Sequence, residues 1–132
     1  MRHGLIYLAS PYSSGGEMSM DEYYEEAVRA CEYLINSGLS VWSPIVYCHM
    51  ISIAYDMPKD FDFWCSYCLP FLRKCDMFLV LAIPGWNKST GVSKEMDIAR
   101  ELNLQIMYAV PTKDGRYRIT SVAPSLSAQV SS

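Results

Sequence analysis

The chain has no surplus of positive charge, no long apolar run and no export pattern. Lys and Arg number 11 against 14 Asp and Glu, giving a net charge of -3. No basic stripe is present, which argues against a nucleic-acid polymer as partner. A free nucleotide stays admissible, because a local anion site needs no global positive charge. Apolar runs such as Met77–Ile83 are far too short to span a bilayer, which argues against membrane insertion. The N-terminus enters a strand pattern at once, without a signal peptide. Five cysteines, an odd number without an export signal, read as reduced thiols in the cytoplasm. Repeats and linkers are also missing. With 132 residues, 51% of them hydrophobic, the expectation is one domain over 1–132 with a real core and a loose tail from about residue 124.

What is there alternates. Leu5-Ile6-Tyr7-Leu8-Ala9 reads as a strand buried on both faces, broken by the turn residues Ser10 to Gly16. Met20 to Asn36 reads as a helix with Tyr24, Ala27, Cys31, Leu34 and Ile35 inward, stopped at Ser37-Gly38. Leu39 to Trp42 forms a second strand, ended by Ser43-Pro44. Ile45 to Lys59 has no clear period and is expected to be an irregular or short-helical pocket loop. Asp62 to Lys74 is a helix containing Pro70, a kink or the start of a second piece. Met77 to Ile83 is the strongest strand signal and Gln105 to Val110 a fourth strand. After a turn at Lys113 to Arg116, Tyr117 to Val122 supplies an edge strand.

This pattern predicts a three-layer α/β fold, a doubly wound parallel sheet of about four to five strands, flavodoxin-like or Rossmann-like. Ligands in such sheets bind beyond the carboxyl ends of the strands. The unusual loops, Ser10–Gly16, Ser43–His49 and Pro84–Gly91, all fall on that rim.

One segment organises the rest. On a helical wheel of about 100° per residue, Val92, Met96, Ile98, Ala99 and Leu102 share a broad apolar arc. Glu95 lies inside it. A carboxylate aimed at a core face loses hydration and is costly unless paired, protonated or used. The plain alternative is a side chain that reaches water or pairs with Arg100. The helix opens on Ser89-Thr90-Gly91, and helix N-termini suit anions.

Ser89-x-Gly91-x-x-x-Glu95 after a buried strand, with Tyr7 in the first strand, resembles the nucleoside 2-deoxyribosyltransferase superfamily. The chain is most similar to a small bacterial and phage branch of unsettled function. That branch shares Leu8-Ala9-Ser10-Pro11-Tyr12-Ser13, Ser43-Pro44-Ile45 and Pro84-Gly85-Trp86. The resemblance covers roughly residues 4 to 110. It implies cleavage or transfer at an N-glycosidic bond, with Glu95 as nucleophile or charge stabiliser at C1′ and Tyr7 orienting it. Such reactions pass through an oxocarbenium-like state, which an oriented, desolvated carboxylate stabilises.

Ser89 matches the serine of relatives that hydrolyse nucleoside 5′-monophosphates, where relatives acting on free nucleosides carry an aspartate. A carboxylate would repel a phosphate. The competing account of Ser89 is a helix N-cap. The resemblance therefore implies a 5′-monophosphate held by Ser89, Gly91, Ser10 and Ser13. His49, Asp62 and Trp86 are further binding candidates, Trp64 with Trp86 as walls of a base pocket. His49 is equally open to a structural loop role, and core packing is the default for both tryptophans. No metal or organic cofactor is implied, and a homodimer or larger homo-oligomer is expected.

Cys68 departs from the pattern. It stands where those relatives carry an aspartate that binds the base or passes it a proton, and a thiol is a weak acid and a poor partner. Either Asp62 takes the task, or leaving-group protonation differs, or the protein is a nucleotide-binding sensor or regulator with reduced turnover. Cys65-x-x-Cys68 with Cys48-His49 also raises a metal or redox reading. Against it, the motif does not follow a strand, and the zinc-deaminase signature is missing. Buried helix cysteines are the simpler account.

Overall fold

The computed structural model describes residues 4–12, 17–58 and 60–125. Four parallel strands and one antiparallel edge strand form a single sheet in the order β2-β1-β3-β4-β5. The strands are β1 (Leu5–Ala9), β2 (Ser40–Trp42), β3 (Met77–Leu81), β4 (Gln105–Pro111) and β5 (Tyr117–Thr120). This is the flavodoxin-like order, with its switch point between β1 and β3. β5 runs back along β4 with Tyr108 opposite Thr120 and Pro111 opposite Tyr117, because the Thr112–Arg116 turn is too short for a crossover. Asp76 joins the bases of β1 and β3 by accepting from the Leu5 N–H at 2.8 Å.

Side chains alternate across the sheet, as strand geometry requires. Ile6, Leu8, Leu79 and Leu81 pack with α1 (Met20–Asn36) on one face. Tyr7, Ala9, Phe78 and Val80 face α3 (Phe61–Lys74) and α4 (Thr90–Glu101) on the other. Three layers result, as the sequence pattern predicts.

Details differ from expectation. The expected pocket loop takes its short-helical form as a regular helix, α2 (Pro44–Ala54), with Ser43 as N-cap and Pro44 in its first turn. Its periodicity is hidden because apolar residues occupy both faces: Tyr47, Met50 and Ile53 are exposed, while Cys48 and His49 are buried. In α1 it is Tyr23, not Tyr24, that enters the core, and Ile35 is exposed. The Ser19–Glu22 capping box sets the phase of that helix. α3 continues through Pro70. Pro124 and Ser125 carry no regular structure, and the rest of the expected tail lies outside the described residues.

Gly85 turns the chain out of β3 toward α4 with φ at +92°, and an added Cβ would sit 2.6 Å from the Tyr23 hydroxyl oxygen. That hydroxyl donates to the Pro84 carbonyl at 2.9 Å. Gly85→Ala therefore combines a left-handed backbone with a displaced buried phenol. The expected loss is roughly 2–4 kcal/mol in urea unfolding; a change near zero would show that the turn relaxes freely.

Candidate active site

At the carboxyl end of β1, the loops and helices enclose a cavity of about 360 Å³, a size suited to a small molecule. β1 supplies Ser10 and Tyr12 from its exit, and α2 supplies Cys48, His49 and Ser52. α3 contributes Asp60, Phe61, Trp64, Cys65 and Cys68, and α4 contributes Ser89, Thr90, Gly91 and Glu95.

Glu95 sits in the second turn of α4, half-buried at the cavity wall. Protein encloses its carboxyl group. Lost hydration pushes it up to about 7, with the Tyr7 hydrogen bond acting in the opposite sense. The Tyr7 hydroxyl donates to Glu95 Oε2 at 2.6 Å, joining residues 88 apart in the chain. Tyr7 is only 1% exposed, lies in the middle of β1, and stacks on Phe78 at 5.8 Å. Burial and then the Glu95 charge push its phenol far above the usual range, so it acts only as a donor.

α4 begins because Ser89, in extended backbone, accepts from the Val92 N–H at 3.2 Å. Its own O–H proton remains available to a ligand, so the N-cap and ligand-binding readings of Ser89 coexist. The first-turn amides of Thr90 and Gly91 have no intrahelical acceptor and lie at the cavity. A Cβ at Gly91 would come within 3.3 Å of the Phe61 ring, so glycine lets that ring close over the turn. Ser10 is buried at the same wall, and its hydroxyl has no partner among the described residues. Such an atom is rare without a ligand or water to satisfy it.

His49 faces the cavity from α2. Its Nδ1 lies 2.6 Å from the Tyr12 hydroxyl and its Nε2 3.2 Å from Asp21 Oδ1, while the ring stacks on Tyr24 at 4.4 Å. Cys68 is buried at the cavity floor. Its hydrogen bond to Cys48 and its burial push the thiol well up, while the same bond holds Cys48 below the ordinary thiol range. Cys48, Cys65 and Cys68 are all free thiols. Among the described residues no three His, Cys, Asp or Glu side chains are grouped to hold a metal ion.

Of the residues singled out in the sequence, Ser10, His49, Ser89, Gly91 and Glu95 share the cavity, with Tyr7 directly behind. Two do not. Asp62 is exposed on α3 and outside the lining; Asp60, the N-cap that accepts from Phe63 N–H at 3.1 Å, occupies the wall instead. Trp86 packs edge-on against Tyr108 at 5.5 Å in the core below β3 and β4, so Trp64, not Trp86, walls the cavity. The turn Pro84-Gly85 points the Trp86 ring under the sheet. Ser13 lies outside the described residues. Sequence reasoning missed Tyr12, Ser52 and Phe61. Only Tyr12 carried a signal, an aromatic residue in a turn on the ligand rim.

Fold and site together define a flavodoxin-like α/β domain built round a cavity with a desolvated carboxylate at its wall. The chain belongs to the family described as Domain of unknown function (DUF1937), whose pattern spans residues 4–109. No curated protein matches it. Among the described residues no helix is long and apolar enough to cross a membrane.

Proposed function

We propose that this protein cleaves the N-glycosidic bond of a nucleoside 5′-monophosphate, by hydrolysis or by transfer of its deoxyribosyl group. The observation that carries this reading is the Tyr7–Glu95 pair, a carboxyl group held at 2.6 Å by a buried phenol at the wall of a nucleotide-sized cavity. The ionised Glu95 attacks C1′ or stabilises positive charge there. Ser89, the Thr90 and Gly91 amides and Ser10 receive the 5′-phosphate, while Phe61 and Trp64 flank the base. The expected cellular site is the cytoplasm, which suits five free thiols. Assembly as a homodimer or larger oligomer is part of the proposal. It is supported by exposed Tyr47, Met50, Ile53, Phe63 and Tyr67 on α2 and α3.

Incubation with ribo- and deoxyribonucleoside 5′-monophosphates, with free base followed by chromatography, is expected to show base release. Release from none of them overturns the proposal. Because the attacking group must be ionised, the acid-side limb of kcat/KM is expected to rise with pH through about 7. Tyr7→Phe removes the donor that favours the carboxylate, so this limb is expected to move about one pH unit higher. An unmoved limb would separate Tyr7 from the chemistry.

A second reading, a nucleotide sensor that binds without turnover, is favoured by Cys68, whose weakly acidic thiol replaces a carboxyl group. Under it, nucleotides raise Tm and are recovered intact, and Glu95→Ala leaves binding nearly unchanged.

A further inference from the structure

The N-glycosidase reading leaves one chemical need unmet. A departing base accumulates negative charge on its ring nitrogen and leaves far faster when it receives a proton. Glu95 is committed to C1′, Asp60 accepts a backbone N–H as the cap of α3, and the Cys68 thiol is pushed up. The cavity does contain a proton path. Asp21, its side chain 80% exposed, meets His49 Nε2 at 3.2 Å, and His49 Nδ1 meets the Tyr12 hydroxyl at 2.6 Å. His49 itself is 4% exposed and clamped against Tyr24. Tyr12 lines the cavity; burial raises its phenol as well, but the imidazole behind it offers a proton relay. A carboxylate in solvent is thus connected, through a buried imidazole, to a phenol facing the candidate ligand.

We propose that Tyr12 is the general acid for the departing base, with His49 and Asp21 as positioning residues that resupply its proton. This deepens the N-glycosidase reading and rests on it. In the first step the C1′–N bond breaks and its electron pair goes to the base. The base nitrogen takes the Tyr12 hydroxyl proton, and the Tyr12 oxygen takes a proton from His49 Nδ1, a step that requires His49 to enter it with protons on both ring nitrogens and Asp21 beside Nε2. Glu95 bonds to C1′ or offsets its charge. In the second step water, or the N–H of an incoming base, attacks C1′ and releases Glu95. Its proton returns through Tyr12 to His49. Cys68 need not act as an acid in either step.

A purine nucleoside 5′-monophosphate and its N7-methylated counterpart separate this role from a structural one, because the methylated base is already cationic and leaves without a proton. Both compounds are offered, in ribo and deoxyribo forms, to the wild-type protein and to Tyr12→Phe, His49→Gln and Asp21→Asn. Tyr12→Phe and His49→Gln are expected to lower kcat/KM on the unmethylated compound at least about 100-fold and on the methylated one less than about 3-fold. Asp21→Asn alters only an exposed side chain, so it carries the test even where His49→Gln fails to fold. Its expected loss is about 10-fold on the unmethylated compound alone. Equal slowing on both compounds, or slowing on neither, overturns the assignment. Wild-type protein that releases base from neither compound removes the parent reading, and this assignment with it, before any variant is compared.

Discussion

Glu95→Gln is expected to make the protein more stable at pH 8 while reducing base release at least about 10³-fold. The stability half follows from linkage. In the unfolded chain Glu95 ionises near the ordinary glutamate value of 4.5, whereas in the folded chain burial holds the proton until about 7. Between these values the folded state binds more protons, so stability falls as pH rises, and above 7 the full cost of a buried charge remains. Below 4.5 both states are protonated and the cost vanishes. A shift of this size corresponds to roughly 3 kcal/mol. Gln is neutral throughout and still accepts from Tyr7, so its advantage should be near zero at pH 4 and roughly 3 kcal/mol at pH 8. That amounts to a gain of about 10 °C in Tm for a chain of this size. Urea unfolding at the two pH values reads it directly. Equal stability of the two proteins at pH 8 would mean that the carboxyl group keeps its water, and the proposed chemistry would lose its basis.

Phe78→Ala is expected to have the largest structural effect of any single truncation near the site. Phe78 is 0% exposed in β3, between β1 and β4, and its ring stacks on Tyr7 with only 11° between planes. Removing a buried phenyl ring typically costs about 3–5 kcal/mol through lost transfer energy and the cavity left behind, here a Tm fall of roughly 10–20 °C. The same cavity frees the Tyr7 ring to tilt, so base release should fall even at temperatures where the variant is folded. Phe78→Leu, which fills more of the space, should recover most of the stability. Activity that survives intact in folded Phe78→Ala would show that Tyr7 is held by its bond to Glu95 alone.

The fold was legible wherever one physical signal dominated. β1 and β3 are continuous apolar runs because both faces are covered, and their order around the switch point follows from alternation with helices. α2 was illegible because it is apolar on its outer face as well as its inner one, so no 3.6-residue stripe stands out, although Ser43-Pro44 marked its start. Glu95 could be found because it broke the pattern of its own helix. Tyr7 could be tied to it only through a family resemblance, since nothing local links a strand residue to a helix 88 positions away. His49 was visible as a residue on the rim; its partners were not, because Asp21 meets it through the packing of α1 on α2 and Tyr12 reaches it from the exit of β1. Trp86 and Asp62 were misplaced for a related reason. A turn direction and a helix phase decide whether a side chain faces the cavity, and neither follows from residue type.

The bond between Tyr7 and Glu95 also has a bearing on synthesis. A ribosome-bound chain that ends before α4 has no acid to activate, and a chain whose α4 has not docked leaves that acid hydrated and ordinary. On the proposed function, reactivity toward nucleotides would require that these two distant parts of the polypeptide have met.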